Sequence, residues 1–377
     1  MPPLRAKKPA ATAGAKGPRP HATTTENQEE GAQVKRSSSP PHGAPKKRTA
    51  FIDITNAHKV QISFPGRRKK KEATKKPPAR KARKFKAASP RWDFTPPTPF
   101  LLFTLPSPSP SEDCYMCPEY AKDIFDYLKR REEKFVLVDY MSTQPSLNPE
   151  MRAILIDWLV EVQENFELYH ETLYLAVKMT DHYLARTPVD RELLQLVGST
   201  TMLIASKFEE RSPPCVDDFL YICDDAYRRE EIISMEADIL QSLRFDISIP
   251  IPYRFLRRYA KCVSAGMDTL TLARFFCEMS LMEMELVTER GSLLASACLL
   301  LALVTRDLGG WSPILQFHSG YRTAELSPVV RKLHRILSAP PDDKLRAIRN
   351  KYSHQVFFEV ASLPLVSGDL LEEALSQ

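Results

Sequence analysis

Glycine is scarce in this chain, with only 12 glycines among 377 residues. Enzymes that bind phosphates through glycine-rich loops use the motifs G-x-x-x-x-G-K-[ST] or G-x-G-x-x-G, and the sequence contains neither. The metalloprotease motif H-E-x-x-H and the hydrolase motif G-x-S-x-G are missing as well. These absences predict a protein that is not an enzyme and needs no cofactor.

Long hydrophobic runs and paired cysteines are also lacking. The longest apolar run, Leu293 to Val304, is shorter than the roughly 20 residues that span a bilayer, so no membrane association is expected. The seven cysteines are irregularly spaced and no secretory signal opens the chain, which is typical of reduced thiols in the cytosol or nucleus. Cys114 and Cys117 lack a second Cys or His pair at zinc-binding spacing, so we expect no metal site.

Charge and proline divide the chain into two parts. Residues 1–91 contain 24 Lys and Arg against 5 Asp and Glu, whereas residues 92–377 contain 29 against 42. Of the 31 prolines, 18 precede Ser111, and few spaced apolar residues are present there to offset the entropy of ordering. We predict a disordered basic tail followed by a globular region that begins near Cys114.

The globular region has the pattern of an all-α protein. Apolar residues recur at helical spacing, prolines fall between the helices, and strand-like alternation is hard to find. The predicted helices are Tyr120–Lys134, Pro149–Glu167, Glu171–Ala185, Arg191–Glu210, Val216–Cys223, Arg229–Leu243, Tyr253–Ser264, Thr269–Val287, Arg290–Asp307, Pro313–Ser319, Glu325–Ser338 and Asp343–Phe358.

An internal repeat relates the two halves of this region. Val197–Ala205 (VGSTTMLIA) and Leu294–Ala302 (LASACLLLA) match small residues with small ones and large with large. Small residues in mid-helix let neighbouring helices approach closely. The repeat predicts two blocks of about five helices, each built around one of these segments.

The helix that begins near Met151 is unusually apolar. Its sequence, MRAILIDWLVEVQENF, has an apolar arc of about 200°, whereas a surface helix normally has a stripe of about 100°. Either the helix is buried on nearly all sides, or one edge faces the core and the other is an exposed docking patch. Periodicity alone favours burial.

Two cationic side chains lie within apolar arcs. A buried Arg152 would need a carboxylate, and Asp181 on the apolar face of the next helix is the predicted partner. The alternative is that both side chains reach outward to water. Lys207 likewise either extends to solvent or donates to a partner, and its counterpart in the second block is Val304.

The segments MRAILIDWLVEV, LYLAVKMTDHYL, LQLVGSTTMLIASKFEE, YICDDAY and SMEADIL resemble, in order and spacing, the cyclin box of A- and B-type cyclins. The resemblance runs from about Tyr120 to about Val360 and implies two tandem five-helix cyclin folds. The implied function is a regulatory subunit that binds and allosterically activates a mitotic-type cyclin-dependent kinase. The implied organisation is a tail (1–113), an N-terminal cyclin box (114–247), a C-terminal cyclin fold (248–360) and a short C-terminal tail (361–377).

The resemblance also implies residues that contact the kinase. Lys207 and Glu236 match the pair that grips the regulatory PSTAIRE helix and the adjoining activation segment. Phe208 and Phe245 match apolar residues of the same interface, and Ile124 matches one on the helix before the box.

Two further sets of residues match the family. Arg152 and Asp181 match an internal ion pair that braces the first box. A second set matches the exposed patch that docks Arg-x-Leu substrates and inhibitors, and its residues are Met151, Ile154, Leu155, Trp158, Glu161, Leu194 and Gln195. The resemblance therefore favours the docking patch over complete burial.

The tail contains a second match. Arg48, Phe51, Ile54 and Asn56 resemble the destruction box Arg-x-x-Leu-x-x-Ile-x-Asn of mitotic cyclins, which the anaphase-promoting ubiquitin ligase reads. Phe51 stands where leucine is usual, and this departure resembles the B-three subgroup of cyclins, as does YSHQVFFEV at 352–360.

Other tail features predict a nuclear protein. The basic runs at 46–48, 67–71 and 75–86 suit binding to nuclear import receptors, and the alternative is non-specific contact with nucleic acid. Six residues precede proline, as proline-directed kinases require: Ser39, Ser89, Thr95, Thr98, Ser107 and Ser109. The apolar segment Pro99–Ser111 (PFLLFTLPSPSPS) fits neither a tail nor a helix and matches no feature of the family.

One rival function uses the same fold. Tandem cyclin folds also occur in nucleic-acid-binding transcription factors that resemble TFIIB, where the folds themselves should carry a basic face. The globular part of this chain is net acidic, which disfavours nucleic acid as a partner.

Overall fold

The computed structural model describes residues 118–376. Within this range the chain forms helices and no strands, which confirms the predicted all-α fold class. The predictions for residues 1–113 and for Cys114 and Cys117 lie outside the described residues. Within 118–376, no cluster of His, Cys, Asp and Glu is placed to hold a metal ion, and no helix is long and apolar enough to cross a membrane. The α-helices are α1 (Ala121–Glu132), α2 (Pro149–Asn165), α3 (His170–Leu184), α4 (Leu194–Glu209), α5 (Val216–Ile222), α6 (Arg229–Ser242), α7 (Pro252–Cys262), α8 (Met267–Leu281), α9 (Gly291–Thr305), α10 (Pro313–Ser319), α11 (Thr323–Ser338), α12 (Ala347–Tyr352) and α13 (Gly368–Ser376).

The first block consists of α2 to α6 arranged around α4. Helix α2 begins with a local signal, because the Asn148 side chain accepts a hydrogen bond from the Met151 N–H at 2.8 Å and proline follows at the first helical position. Helix α4 packs against α2, α3, α5 and α6. A Cβ atom on Gly198 would stand 2.6 Å from Leu155 Cδ1, so the close approach of α2 and α4 depends on this glycine.

The second block, α7 to α11, repeats the first. Three pairs of equivalent helices start 97 positions apart, at 170 and 267, 194 and 291, and 216 and 313. Helix α9 takes the place of α4 and packs against α7, α8 and α11. Its residues from Gly291 to Leu303 are buried apart from Leu293. The predicted repeat and its two central helices are confirmed.

Helix α1 precedes the first block in the chain but is fixed to the second. Arg131 Nε donates to the carbonyl of Ser248 at 2.7 Å, and the Glu132 carboxylate accepts from the backbone N–H of Ser292 at 2.9 Å. Lys129 Nζ donates to the carbonyl of Ser319. Burial raises the pKa of Glu132, although its hydrogen bonds with Ser292 oppose that rise.

The scarcity of glycine shows at the helix ends. Helices commonly end at a glycine with positive φ, but here Glu167 (φ 53°), Arg244 (φ 53°), Ser264 (φ 50°) and Asp307 (φ 54°) take that conformation. Each is followed by a residue whose N–H reaches a carbonyl five positions back, such as Phe245 N–H to Leu240 O at 2.8 Å. These hydrogen bonds cap the ends of the four helices, while each of the four left-handed residues retains conformational strain because it carries a side chain.

The prediction of a single helix over Asp343–Phe358 is wrong. Only α12 is α-helical there, followed by a 3-10 turn at Gln355–Phe357, and both Phe358 and Glu359 have positive φ. The chain departs from a helix because it is anchored on both sides: Lys351 Nζ donates to Glu278 Oε2 at 2.7 Å and to Gln163 Oε1 at 2.8 Å. These buried contacts join α12 to α8 of the second block and to α2 of the first.

The last residues of the chain contain a helix that the sequence analysis did not identify. Helix α13 lies in the segment 361–377 and buries Leu371 and Leu375. It packs against α11 and α9, and Arg331 on α11 forms a two-pronged ion pair with Glu372, both bonds being 2.7 Å long. The second block therefore extends beyond its five repeated helices.

We expect Glu167→Gly to raise the free energy of unfolding by about 0.5–1 kcal/mol. A left-handed non-glycine residue costs about 1–2 kcal/mol, and the extra freedom of glycine in the unfolded chain cancels only part of the relief. The matched control is Ala237→Gly in the exposed middle of α6, which should lower stability by about 1 kcal/mol. Urea unfolding followed by circular dichroism measures both, and a destabilised Glu167→Gly protein would contradict the analysis.

Candidate functional site

A buried ion pair lies at the centre of the described structure. Arg152 Nε and Nη2 donate to the two carboxylate oxygens of Asp181 at 2.7 and 2.8 Å, and each residue is 2% exposed. Helices α2 and α3 run side by side and bring the two side chains together. The pairing expected from the two apolar arcs is present.

The same guanidinium connects the first block to the second. Arg152 Nη1 donates to the carbonyl of Leu281 at 2.9 Å and to that of Met282 at 3.3 Å. These carbonyls are at the C-terminal end of α8, where no further helical N–H is available to them. The predicted helix Thr269–Val287 is too long, because α8 ends at Leu281 and a separate 3-10 turn follows at Met284–Leu286.

Electrostatics keeps both partners charged. Burial by itself raises the pKa of Asp181, but the Arg152 guanidinium and the Tyr140 hydroxyl, which donates to Asp181 Oδ1 at 2.6 Å, together hold that pKa below its ordinary value. Burial raises the pKa of Tyr140 strongly, and the Asp181 charge adds to this effect. The cluster therefore consists of a carboxylate, a guanidinium and a neutral phenol.

A second ion pair lies on the surface of the first block. Lys207 Nζ, near the C-terminal end of α4, contacts Glu236 Oε1 at 2.6 Å and Oε2 at 2.8 Å on α6. The lysine side chain is 47% exposed and the glutamate 18%. Lys207 thus extends to solvent and also donates to a partner. The two alternatives predicted for this side chain are therefore both correct.

Exposed apolar side chains flank this pair. Phe208 follows Lys207 on α4 and is 48% exposed, Ile233 lies one turn before Glu236 on α6 and is 47% exposed, and Phe245 is 67% exposed. Phe245 projects outward because it and Arg244 both have positive φ at the end of α6. Ile233 was not found from the sequence, although its spacing of three residues from Glu236 places it on the same helix face.

An apolar stripe on α1 continues from this surface. Ile124, which the sequence analysis named, is 45% exposed, and Tyr120 and Tyr127, which it missed, are 61% and 53% exposed. All three share a helix face with Arg131, whose Nη2 contacts Asp246, the neighbour of Phe245. The i, i+4, i+7 spacing of the three residues was the signal that could have revealed them.

The seven residues matched to a docking patch are mostly buried. Met151, Leu155, Trp158, Leu194 and Gln195 are at most 8% exposed, and only Ile154 and Glu161 are partly accessible. The expectation of an exposed patch is therefore corrected, because α2 packs on α3, α4 and α12 and is buried on most sides, as its periodicity favoured. The side-chain nitrogen of Gln195 is buried and has no hydrogen-bond partner within residues 118–376.

Comparison with known proteins gives a consistent result over this region. The model for "Cyclin, N-terminal domain" matches residues 123–248, and that for "Cyclin, C-terminal domain" matches residues 250–365. The destruction box and basic runs of the tail lie outside both matches and outside the described residues.

Among curated relatives, G2/mitotic-specific cyclin-B3 of Gallus gallus is 54% identical over 94% of this chain and 94% of its own length. The Homo sapiens cyclin-B3 is also 54% identical, over 71% of this chain but only 19% of its own length, so this chain corresponds to a small part of the human protein. The crystal structure of a viral cyclin from herpesvirus saimiri has a TM-score of 0.52 at 23% identity, and it covers 57% of this chain and 96% of its own. That likeness concerns the fold alone.

We expect Arg152→Met to lower the free energy of unfolding by about 3–5 kcal/mol, because Asp181 would remain buried without its partner. Arg331→Met removes the cation from the exposed pair with Glu372 and should change stability little. Urea unfolding of both variants measures the difference. Equal effects of the two substitutions would contradict the role given to the buried pair.

Proposed function

The chain belongs to the cyclin family and is similar to its B3 type, and from this we propose that it binds and activates a mitotic cyclin-dependent serine/threonine kinase. The observation that carries the proposal is the exposed Lys207–Glu236 pair with its flanking Phe208, Ile233 and Phe245. Exposed apolar side chains clustered beside a charged pair mark an interaction surface, and an amphipathic helix is a partner that such a surface can bind.

The rigidity of this surface supports the proposal. Lys207 and Phe208 are on α4, the central helix of the first block, and Glu236 is on α6, which packs against α4. The Lys207–Glu236 contacts further restrict the lysine side chain. Binding to such a surface immobilises few additional side chains, so less of the interaction free energy is lost to ordering.

The proposed mechanism is a shift of the kinase between two states. A kinase is active only when the helix carrying its conserved glutamate is in place and pairs that residue with the catalytic lysine. A partner that binds the active arrangement more tightly than the inactive arrangement shifts the equilibrium towards the active one. The ratio of active to inactive kinase rises by the ratio of the two affinities. The cyclin itself performs no chemistry in this mechanism.

Docking of Arg-x-Leu segments at the edge of α2 is a second part of the proposal. Ile154 and Glu161 are partly accessible there, and the buried Gln195 amide nitrogen has no acceptor among the described residues. A peptide backbone carbonyl that reached Gln195 would satisfy this donor, although neighbouring side chains would first have to move.

Exchanging the charges of the surface pair tests kinase binding. The double variant Lys207→Glu, Glu236→Lys should keep an ion pair within the cyclin, and hence its fold, while presenting reversed charges to the kinase. We expect kinase recovery in a pull-down to fall at least about tenfold, since burying mismatched charges costs more than 1.4 kcal/mol.

The matched control exchanges another pair on the same chain. Arg331→Glu, Glu372→Arg reverses the pair between α11 and α13 and should leave kinase recovery unchanged. If the Lys207, Glu236 variant retained the kinase as well as the control did, the assigned contact would be wrong. Recovery of DNA or a polymerase by the unmodified chain would favour the transcription-factor function.

The proposal extends to turnover and location, which rest on the tail sequence. Arg48, Phe51, Ile54 and Asn56 would bind the anaphase-promoting ubiquitin ligase, and the basic runs would bind import receptors that carry the protein to the nucleus.

Deletion of 48–56 should prolong the half-life of the protein through mitotic exit, measured in synchronised cells after blocking translation. Deletion of 20–28, which removes the same number of tail residues, is the control, and equal decay of the two proteins would show that the motif is not needed.

A further inference from the structure

A cavity of about 360 Å³ opens on the second block, and none of the residues proposed to bind the kinase lines it. Val263, Leu303 and Leu315 contribute apolar side chains to it, and Ser264 and Ser312 are polar lining residues. None of the described residues that line it is charged. The cavity therefore suits uncharged apolar side chains, which gain free energy on leaving water.

Exposed apolar residues surround the cavity. Leu308, one of its lining residues, is 57% exposed, and Met267, which follows the lining residue Gly266, is 64% exposed. Two exposed apolar residues beside an uncharged concavity favour an interaction surface over ordinary surface scatter.

The walls of the cavity are held by the caps of two helices. At the end of α7, the Ala265 N–H donates to Ala260 O at 3.0 Å, and at the end of α9, the Leu308 N–H donates to Leu303 O at 2.9 Å. The strained residue Asp307, with φ of 54°, directs Leu308 outward. The cavity is thus formed by fixed backbone, so an occupant would not have to order it.

The chain itself contains a segment of matching chemistry. Residues 94–111 include no charged side chain, in contrast with the basic residues before them, and they contain the apolar run PFLLFTL at 99–105. The described structure begins at Pro118. The twelve residues 106–117 can span up to about 40 Å when extended, which exceeds the width of one helical block.

The direction of α1 brings the start of the described chain towards the cavity. Arg131 lies beside Ser248, before α7, whereas the Phe125 ring is 5.9 Å from that of Phe255 and the Arg258 guanidinium stands 5.7 Å above Phe125. Helices α1 and α7 are therefore antiparallel. The first residues of α1 point towards the C-terminal end of α7, which is where the cavity opens.

We propose that the apolar segment Pro99–Leu105 of this chain docks in the cavity between the ends of α7 and α9. Its leucine and phenylalanine side chains fill the volume lined by Leu303, Leu308 and Leu315. Because the segment is covalently attached, its effective concentration at the cavity is of millimolar order, and modest contacts are enough to hold it. This docking fixes the point at which the tail leaves the folded region.

Photocrosslinking in the full chain tests the proposal. A benzoylphenylalanine in place of Phe103 should crosslink to peptides from 263–266 or 303–315 within the same molecule, as read by mass spectrometry. The same group in place of Phe85, among the basic runs of the tail, is the control and should not give these products. Crosslinks from position 103 to other regions would overturn the proposal, and crosslinked dimers would identify a second copy as the occupant instead.

A cavity-filling variant provides the matched test. Gly310 lines the cavity, and a Cβ atom there would meet, among the described residues, only Ala374 O at 3.8 Å, so Gly310→Phe adds a ring at the cavity without a backbone clash. Gly368→Phe, where a Cβ atom would meet no described residue within 4 Å, is the control. We expect the crosslink yield to fall about tenfold in the first variant and to be unchanged in the second.

Two further readouts separate docking from misfolding and from kinase binding. Replacement of residues 100–105 by a Gly-Ser sequence should shift the methyl resonances of Leu308 and Leu315 in the full chain, while those of Leu155 in the first block stay unchanged. Kinase recovery by the Gly310→Phe protein should equal that of the unmodified chain. Unchanged crosslinking in Gly310→Phe together with unmoved methyl resonances would overturn the proposal.

Discussion

The buried contact between Arg152 and Asp181 is the interaction on which the rest of the structure depends. A guanidinium that is 2% exposed is tolerated only because its nitrogens have partners, and these come from both halves of the protein. Asp181 holds it within the first block, while the carbonyls of Leu281 and Met282 hold it against the end of α8. One side chain thereby braces the first block and joins it to the second.

The surface pair of Lys207 and Glu236 has a different physical role in the same block. Both residues remain in contact with water, so their attraction contributes little to the stability of the isolated chain. What the fold supplies is their position: a lysine at the end of the central helix, a glutamate on the helix beside it, and exposed Phe208 and Phe245 around them. In the proposed function, the buried pair of Arg152 and Asp181 therefore contributes to stability, and the surface pair of Lys207 and Glu236 contributes to partner binding.

The scarcity of glycine, which first excluded several enzyme classes, has a structural consequence as well. Several helices end in left-handed residues that carry side chains, and two of these caps direct Phe245 and Leu308 towards solvent. A glycine at Arg244 or Asp307 would relieve strain, but the following residue would be held in place by a more flexible backbone. The strain therefore lies next to the two surfaces for which we propose partners.

The sequence by itself determined most of the helices, the repeat around α4 and α9, and the partner of Arg152, because periodicity gives the angle of each residue about its helix axis. Only the tertiary structure decided that the edge of α2 is mostly buried, that Arg152 also reaches Leu281 and Met282, and that the segment after Asp343 is anchored by Lys351 instead of forming one helix. The last two depend on distances between atoms more than 70 residues apart or on positive φ angles at residues other than glycine, and the first depends on how other helices pack on α2. Local patterns contain neither quantity.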